Sequence, residues 1–442
     1  MIALLATAHL FSEDPYILDH AMISIYAVQT DTGKVLIDKN SHLSLTPASC
    51  MKVVTTAAAL YLLGEDHRFE TSLEYDGFID DEGSLHGNIY IKGGGDPCLG
   101  SDRIASSLSW NALIETWSEA IHNLGIQKIE GQVIGDATKW EKALAAPSWS
   151  WEDLGNYYGA GASALSFHEN CYSLFFKPGE NVGDPANILC TDLPLTTLIF
   201  QNEVTTGPQR SGDRACIYGS EFSSTQFIRG TIPAAIDSFS IKGAIPDPAA
   251  YAAYLLSENL ENKGIILEHH EIAPQSKRIP FHTIYSPTVG EIVHLTNQKS
   301  INLYAEHLLK QMGEVTHNKG STASGIKTIT NFWNSQNIDL DGFYMADGSG
   351  LSRKNLVTTK QLVEILQQVK KSDFFPIFLE SLPHLEGAMR AKSGSMSFIK
   401  GYVGYTGNIA FAILVNQCTD SRMMYEKINL FLSHLNSNET AL

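Results

Sequence analysis

The chain has 442 residues, long for one hydrophobic core, so two or three domains are expected. With 43% apolar and 18% charged residues it builds substantial cores and is not a disordered chain. Its 31 Lys and Arg against 48 Asp and Glu leave a formal charge of −17, which opposes a nucleic-acid or anionic-membrane partner.

Met1-Ile-Ala-Leu-Leu-Ala-Thr-Ala-His-Leu10 is apolar but lacks a basic lead-in, and it is too short to span a bilayer. It reads either as a trimmed signal peptide, a full one not being clearly visible, or as a buried first segment. No other apolar run approaches membrane length. Ile23–Val28 and Lys34–Ile37 flank Asp31-Thr-Gly33, a strand–turn–strand pattern. Thr46 fits a helix N-cap and Pro47 the first helical position, ahead of an Ala- and Leu-rich helix from Val53 to Leu63. That helix is apolar nearly all round and is expected to be buried.

From about residue 70 to 280 the texture becomes mainly β. Alternating stretches such as Gly87–Lys92 and Cys171–Lys177 are separated by Gly, Pro and Asp turns, with a helix at Trp110–Leu124 before Ile126–Ile134. Helical patterns resume at Val289–Lys310 and Thr358–Lys370. Gly401–Tyr405 and Ile409–Val415 then flank Gly407-Asn408, a hairpin signal. Both chain ends thus read as strands of one sheet, with the middle inserted. The six cysteines (Cys50, Cys98, Cys171, Cys190, Cys216, Cys418) include no C-x-x-C and are expected to be mostly free, buried thiols.

Three short patterns carry chemistry. Ser49-Cys50-Met51-Lys52 opens the buried helix, and its Ser and Lys, three apart, share a face. A serine hydroxyl needs a base to become a nucleophile, and a lysine serves when burial and a second cation depress its pKa. Ser300-Ile301-Asn302 offers a hydroxyl for proton transfer to a leaving amine and an amide to hold the substrate. Lys392-Ser393-Gly394 sits where an edge strand is expected. Lys392 and Ser393 suit a carboxylate, Gly394 permits close backbone approach, and the Ser395 N–H pairs with that of Ser49 as an oxyanion hole. Together these parts cleave an amide beside a free carboxylate.

Singly, each pattern also reads as ordinary structure: a solvated lysine at a helix start, a pair of helix-cap residues, a surface lysine before a turn. S-x-x-K recurs at Ser324–Lys327, in a loop-like stretch, and at Ser397–Lys400, before a strand. S-x-N recurs at Ser109, Ser257 and Ser335. Order and the buried-helix context select Ser49, Ser300 and Lys392.

With Tyr158-Gly-Ala160, Gly243-Ala-Ile-Pro-Asp-Pro248, Asn302-Leu-Tyr-Ala-Glu306, Asp347-Gly-Ser-Gly-Leu-Ser-Arg353 and Ala391-Lys-Ser-Gly394, the chain resembles, over nearly its whole length, the D-alanyl-D-alanine carboxypeptidase/endopeptidases of the class C low-molecular-mass penicillin-binding proteins. The resemblance implies an α+β fold. A transpeptidase/β-lactamase-like domain (antiparallel sheet flanked by helices) at 20–69 and 281–442 would carry an inserted, mainly β domain at 70–92 and 161–280. A nested α/β subdomain is expected at 93–160. It implies that Ser49 is acylated, Lys52 is its base, and Ser300, Asn302 and Lys392 complete the catalytic set. Asp153, Tyr158, Arg353 and Met396 match positions that recognise a diaminopimelate side chain.

The implied partners are peptidoglycan stem peptides, with β-lactam antibiotics as covalent inhibitors, in a periplasmic or extracytoplasmic setting. No cofactor and no metal are implied. Two departures are K-S-G for K-T-G, which keeps the hydroxyl, and Cys50 directly after the nucleophile.

Other readings use the same residues. Glu152-Asp-Leu-Gly-Asn156 mimics a class A β-lactamase deacylation motif, but Ser300 lies 251 residues beyond Ser49, too far for that compact architecture. A non-catalytic peptidoglycan-binding relative is opposed by the intact Ser–Lys, Ser–Asn and Lys set. Glu268-His-His-Glu271 has no metal-ligand spacing and reads as a polar loop or strand end.

Overall fold

The computed structural model describes residues 20–275 and 277–439, so the apolar segment at positions 1–10 lies outside the described residues. The chain divides into two compact units: one joins the residues before Arg68 to those after Pro287, and the other is Arg68–Pro287.

In the first unit five antiparallel strands form a sheet in the order Met389–Met396, Ile399–Thr406, Ile409–Asn416, Met22–Gln29, Val35–Lys39. The register runs from Met22 opposite Asn416 to Gln29 opposite Ile409, so the first strand lies beside the last. Ile399–Thr406 and Ile409–Asn416 are buried at every position. They are covered on both faces, which is why they read as continuous apolar runs. The helix Thr359–Val369 packs on the sheet, and Ser421–Glu439 packs against Ile399–Thr406 through a core that includes Ile428 and Phe431.

Met51–Leu62 forms a helix buried continuously from Met51 to Leu60. It touches the helices Val289–Gln298, Asn302–His317, Thr322–Ser335 and Thr359–Val369, and this surround accounts for its lack of a polar face. Three local expectations differ from the structure. Thr46 is not the N-cap: the helix is entered through a 3₁₀ turn at Ala48–Cys50, and Thr46 Oγ1 instead donates to the Arg353 carbonyl at 3.3 Å. The pattern at 289–310 is two helices, broken at Ser300, whose φ of +57° is left-handed. Ser324 is not in a loop but at the start of Thr322–Ser335, where Ser321 caps its N–H.

The second unit contains two three-stranded and two four-stranded sheets with the helices Trp110–Asn123 and Pro248–Asn262, around a core that includes Trp117, Phe167 and Phe176. Within 93–160, the strands Lys128–Ile129 and Val133–Asp136 complete sheets whose other members lie outside that range. All six cysteines are free thiols; Cys50, Cys98 and Cys418 are buried, whereas Cys190 is exposed. Among the described residues no helix is long and apolar enough to cross a membrane.

The sheet holds the segment leading to Ser49 through one side chain. Asn416, at the end of its strand, accepts the Thr46 N–H at 2.9 Å through Oδ1 and donates to the Thr46 carbonyl at 3.0 Å through Nδ2. Asn416 is nearly buried, so removing its amide leaves two backbone groups without that partner. Asn416→Ala is expected to lower stability by about 1–3 kcal/mol, read from the denaturation midpoint in urea.

Candidate active site

The turn before Ser49 is strained: Ala48 adopts φ +48°, a left-handed conformation costly for a residue with a Cβ. It is braced from outside. Gly350 (φ +83°) lies so close that a Cβ there would sit 1.9 Å from the Ala48 carbonyl oxygen. Ser49 emerges half-buried, between buried Ala48 and Cys50.

Three residues down, Lys52 is fully buried. Its Nζ donates to the Ser349 carbonyl at 2.7 Å and to Asn302 Oδ1 at 2.6 Å, and lies 3.0 Å from Ser49 Oγ. Burial pushes the Lys52 pKa well below the usual lysine range, the Lys392 ammonium pushes it further, and Asp347, Glu306 and Cys50 oppose the shift. A neutral amine has two N–H bonds and one lone pair. With both N–H groups committed to carbonyl oxygens, the lone pair faces the Ser49 hydroxyl.

Lys392, Ser393 and Gly394 lie on Met389–Met396, the edge strand of the sheet. The strand approaches the Ser49 turn very closely. A Cβ on Gly394 would sit 2.4 Å from the Pro47 carbonyl oxygen and 3.0 Å from Cys50 Sγ, so glycine is required there. Cys50 Sγ contacts the Lys392 carbonyl at 3.7 Å, and burial pushes its thiol up to about 12. Cys50 is therefore an inert packing residue between helix and strand. Lys392 is nearly buried and its pKa is lowered to about 8, by burial first and then by Lys400. Its Nζ donates to the Ser393 carbonyl at 2.8 Å.

The structure joins Ser49, Lys52 and Asn302 by direct contacts and sets Lys392 within electrostatic reach of Lys52. Ser300 is half-buried on its strained backbone, two residues ahead of Asn302. Arg353 is exposed, and its Nη1 lies 3.5 Å from the Ser397 carbonyl, beside the strand end that carries Ser395 and Met396. Asp153 and Tyr158 belong to the second unit. There burial raises the Tyr158 pKa, and the Asp153 carboxylate adds to that shift.

The other copies of the motifs are structural. Ser109 caps the Trp110–Asn123 helix, Ser324 lies in a helix-capping cluster with Ser321, and Lys400 bonds Tyr425 at 3.0 Å. The side chain of Asn156 is taken up by the Glu152 and Ile217 backbones, so Glu152–Asn156 is a packing motif. Glu268 and His270 form surface ion pairs, Glu268 with Lys128.

The sequence reading includes Asn302–Glu306 and Asp347–Arg353 in the resemblance but gives no role to Glu306 or to the loop Asp347–Ser352, which present the Ser349 carbonyl to Lys52. Two signals were available: Glu306 is four residues beyond Asn302 on one helix, and Asp-Gly-Ser-Gly is turn chemistry.

The sequence matches the D-Ala-D-Ala carboxypeptidase 3 (S13) family over residues 7–435. The chain belongs to that family. It is a peptidase of the D-Ala-D-Ala carboxypeptidase class. Similar proteins include the D-alanyl-D-alanine carboxypeptidase of Actinomadura sp., 27% identical across 91% of this chain and 79% of the relative. Another is the D-alanyl-D-alanine carboxypeptidase DacB of Haemophilus influenzae, 23% identical across 88% of this chain and 80% of the relative. The crystal structure of H. influenzae penicillin binding protein 4 (dacB) superposes with a TM-score of 0.80 at 21% identity, covering 99% of this chain and 100% of that one. The S13 chain thus shares its α+β fold. A second structure of the H. influenzae protein, complexed with a β-lactam, gives a TM-score of 0.78 at 20% identity and covers 99% of each chain.

Proposed function

We propose that the protein hydrolyses D-Ala-D-Ala ends or crosslinks of peptidoglycan stem peptides through an acyl-enzyme on Ser49, outside the cytoplasm, and that β-lactams acylate the same serine. The observation that carries this reading is the Lys52 amine, buried and held by two carbonyl oxygens with Ser49 Oγ 3.0 Å away.

Ser49 Oγ attacks the carbonyl carbon of the penultimate D-alanine as its proton passes to the Lys52 lone pair. The oxyanion that forms is received by the N–H groups of Ser49 and Ser395. Lys392 with Ser393 holds the terminal carboxylate, Asn302 orients the substrate amide, and Ser300 relays the proton held by Lys52 to the departing amine, which leaves Lys52 neutral again. Water then attacks the ester, and Lys52 takes its proton and returns it to Ser49 Oγ as the ester bond breaks.

Incubation with penicillin followed by mass spectrometry is expected to place one adduct on the peptide carrying Ser49. Ser49→Ala should remove both the adduct and D-alanine release. Lys52→Ala should slow acylation by orders of magnitude, since nucleophile and base act as a unit. An adduct that persists in Ser49→Ala would end this reading.

The two lysines set opposite limbs of the pH profile. Lys52 must be neutral, so acylation falls as pH drops through its pKa, and that acid limb lies well below the usual lysine range. Lys392 must be charged, and it loses its proton as pH rises through about 8. Stopped-flow measurement should therefore show the pre-covalent Kd for penicillin weakening above about pH 8, while the acylation constant falls only on the acid side. A Kd unchanged to pH 9 would contradict the carboxylate role of Lys392.

Asp153 and Tyr158, and separately Arg353 and Met396, are proposed as recognition positions for the side chain of a diaminopimelate-containing peptide, with Arg353 suited to its carboxylate. Diaminopimelate peptides should then show a higher kcat/KM than lysine analogues lacking that carboxylate, with the difference lost in Arg353→Ala. Equal kcat/KM in the wild-type protein would remove this assignment.

A further inference from the structure

The base is held by a loop that is itself held by two carboxylates. Asp347–Ser352 is irregular chain, buried at Asp347, Ser349 and Ser352. Four of its N–H groups point at acids. Glu306, on the Asn302–His317 helix, accepts the N–H of Gly348 at 3.1 Å and that of Ser349 at 2.7 Å. Asp347 accepts the N–H of Gly350 at 2.7 Å and that of Ser352 at 2.5 Å, and its Oδ1 takes Asn355 Nδ2 at 2.8 Å.

The loop's carbonyls point the other way, at the Ser49 helix. Thr55 Oγ1 donates to the Gly348 carbonyl at 2.7 Å and Lys52 Nζ to the Ser349 carbonyl at 2.7 Å. Peptide planes 348–349 and 349–350 are therefore clamped on both edges, the first between Glu306 and Thr55 and the second between Asp347 and Lys52.

Two buried acids close together are costly. Desolvation and the Asp347 charge push Glu306 up to about 7. A stabilising core would put apolar groups there, so two buried carboxyls that each take two backbone N–H groups point to a role beyond stability. Charged acceptors make the stronger hydrogen bonds to backbone N–H groups, and here those bonds fix a carbonyl with few other constraints.

We propose that Glu306 and Asp347 are positioning residues for the base: by fixing the Ser349 carbonyl against Lys52 Nζ they hold the amine's lone pair on the Ser49 hydroxyl. This rests on the assignment of Ser49 and Lys52 as nucleophile and base. Neither acid touches the substrate; each acts through the loop. With the clamp loosened, Lys52 keeps its pocket but turns its N–H and lone pair among three neighbours, and misplacement at a reacting pair of this kind costs rate without costing binding.

The test separates those two quantities. Acylation by a fluorescent penicillin is followed by stopped flow, giving the pre-covalent Kd and the acylation constant separately, after mass spectrometry has located the wild-type adduct. Glu306→Gln keeps the shape but presents an NH₂ to one of the two backbone donors. It should lower the acylation constant roughly 30-fold while Kd moves less than about threefold. Thr55→Val releases the loop from its other edge and should give the same split at roughly fivefold, and Thr55→Ser, which keeps the hydroxyl, should restore it.

A folded Glu306→Gln protein that acylates at the wild-type rate, or that loses Kd instead of rate, overturns the proposal. Should Glu306→Gln fail to fold, the Thr55 pair decides: a wild-type acylation constant in Thr55→Val overturns it equally. If the wild-type adduct is not on Ser49, the functional assignment fails, and that outcome is read before any variant is made.

Discussion

The burial of one lysine amine governs the rest of the site. Full removal from water disfavours the ammonium form and pushes a lysine pKa down. The sequence achieves this by placing Lys52 on a helix enclosed by four other helices and the loop Asp347–Ser352 of the first unit. Burial alone would leave an orphan amine, with the orientation of its lone pair undefined. Two carbonyl oxygens at 2.6 and 2.7 Å remove that freedom. Lys392 then adds its own charge in the direction burial already favours, and the Glu306–Asp347 pair limits how far the shift goes. The state of this amine is thus set by burial, by three ionisable groups of two signs and by two carbonyl oxygens, not by any single contact.

Geometry that exact is held against local preference. Ala48 and Ser300, immediately before or at two of the functional segments, both occupy the left-handed region without being glycine. Such conformations cost about 1–2 kcal/mol each and persist only where surrounding structure over-determines them. At Ala48 the surround is Gly350 on one side and the Asn416–Thr46 amide pair upstream. Gly394 extends the same logic to the sheet: its missing Cβ lets the edge strand meet the Ser49 turn at backbone distance, with Cys50 filling the remaining gap.

What the sequence made legible follows from this division. The sheet was readable because strands covered on both faces are continuous apolar runs, and because Gly407-Asn408 is unambiguous turn chemistry. Ser49, Lys52, Asn302 and Lys392 were readable from motif order together with the buried helix. The 3₁₀ entry at Ala48 and the helix break at Ser300 were not, because both depend on tertiary bracing that overrides local propensity: Thr46-Pro47 is good helix-start chemistry, and 289–310 is good helical periodicity. Ser324 failed in the opposite direction, since Ser-Thr-Ala-Ser-Gly is loop-like until Ser321 is seen to cap it. Glu306 stands in the Asn302–Glu306 block with no role legible, because its spacing from Asn302 says only that the two share a helix face, not that its carboxyl meets two backbone N–H groups.

The long separation between the parts has a simple accommodation. Lys52 and its partner Asn302 are 250 positions apart, with the whole Arg68–Pro287 unit between them. Loop-closure cost grows only logarithmically, by about 0.6 kcal/mol for each doubling, so a large insertion weighs little provided its two ends meet in fixed register. They do: the Val289 N–H donates to the His67 carbonyl and the Gly290 N–H to the Glu65 carbonyl, each at 2.9 Å. The helix at Val289 starts with a capping box of Thr288 and Glu291, which orders the returning chain at once. With the chain closed at that neck, the 2.6 Å contact of Lys52 with Asn302 lies wholly within the first unit.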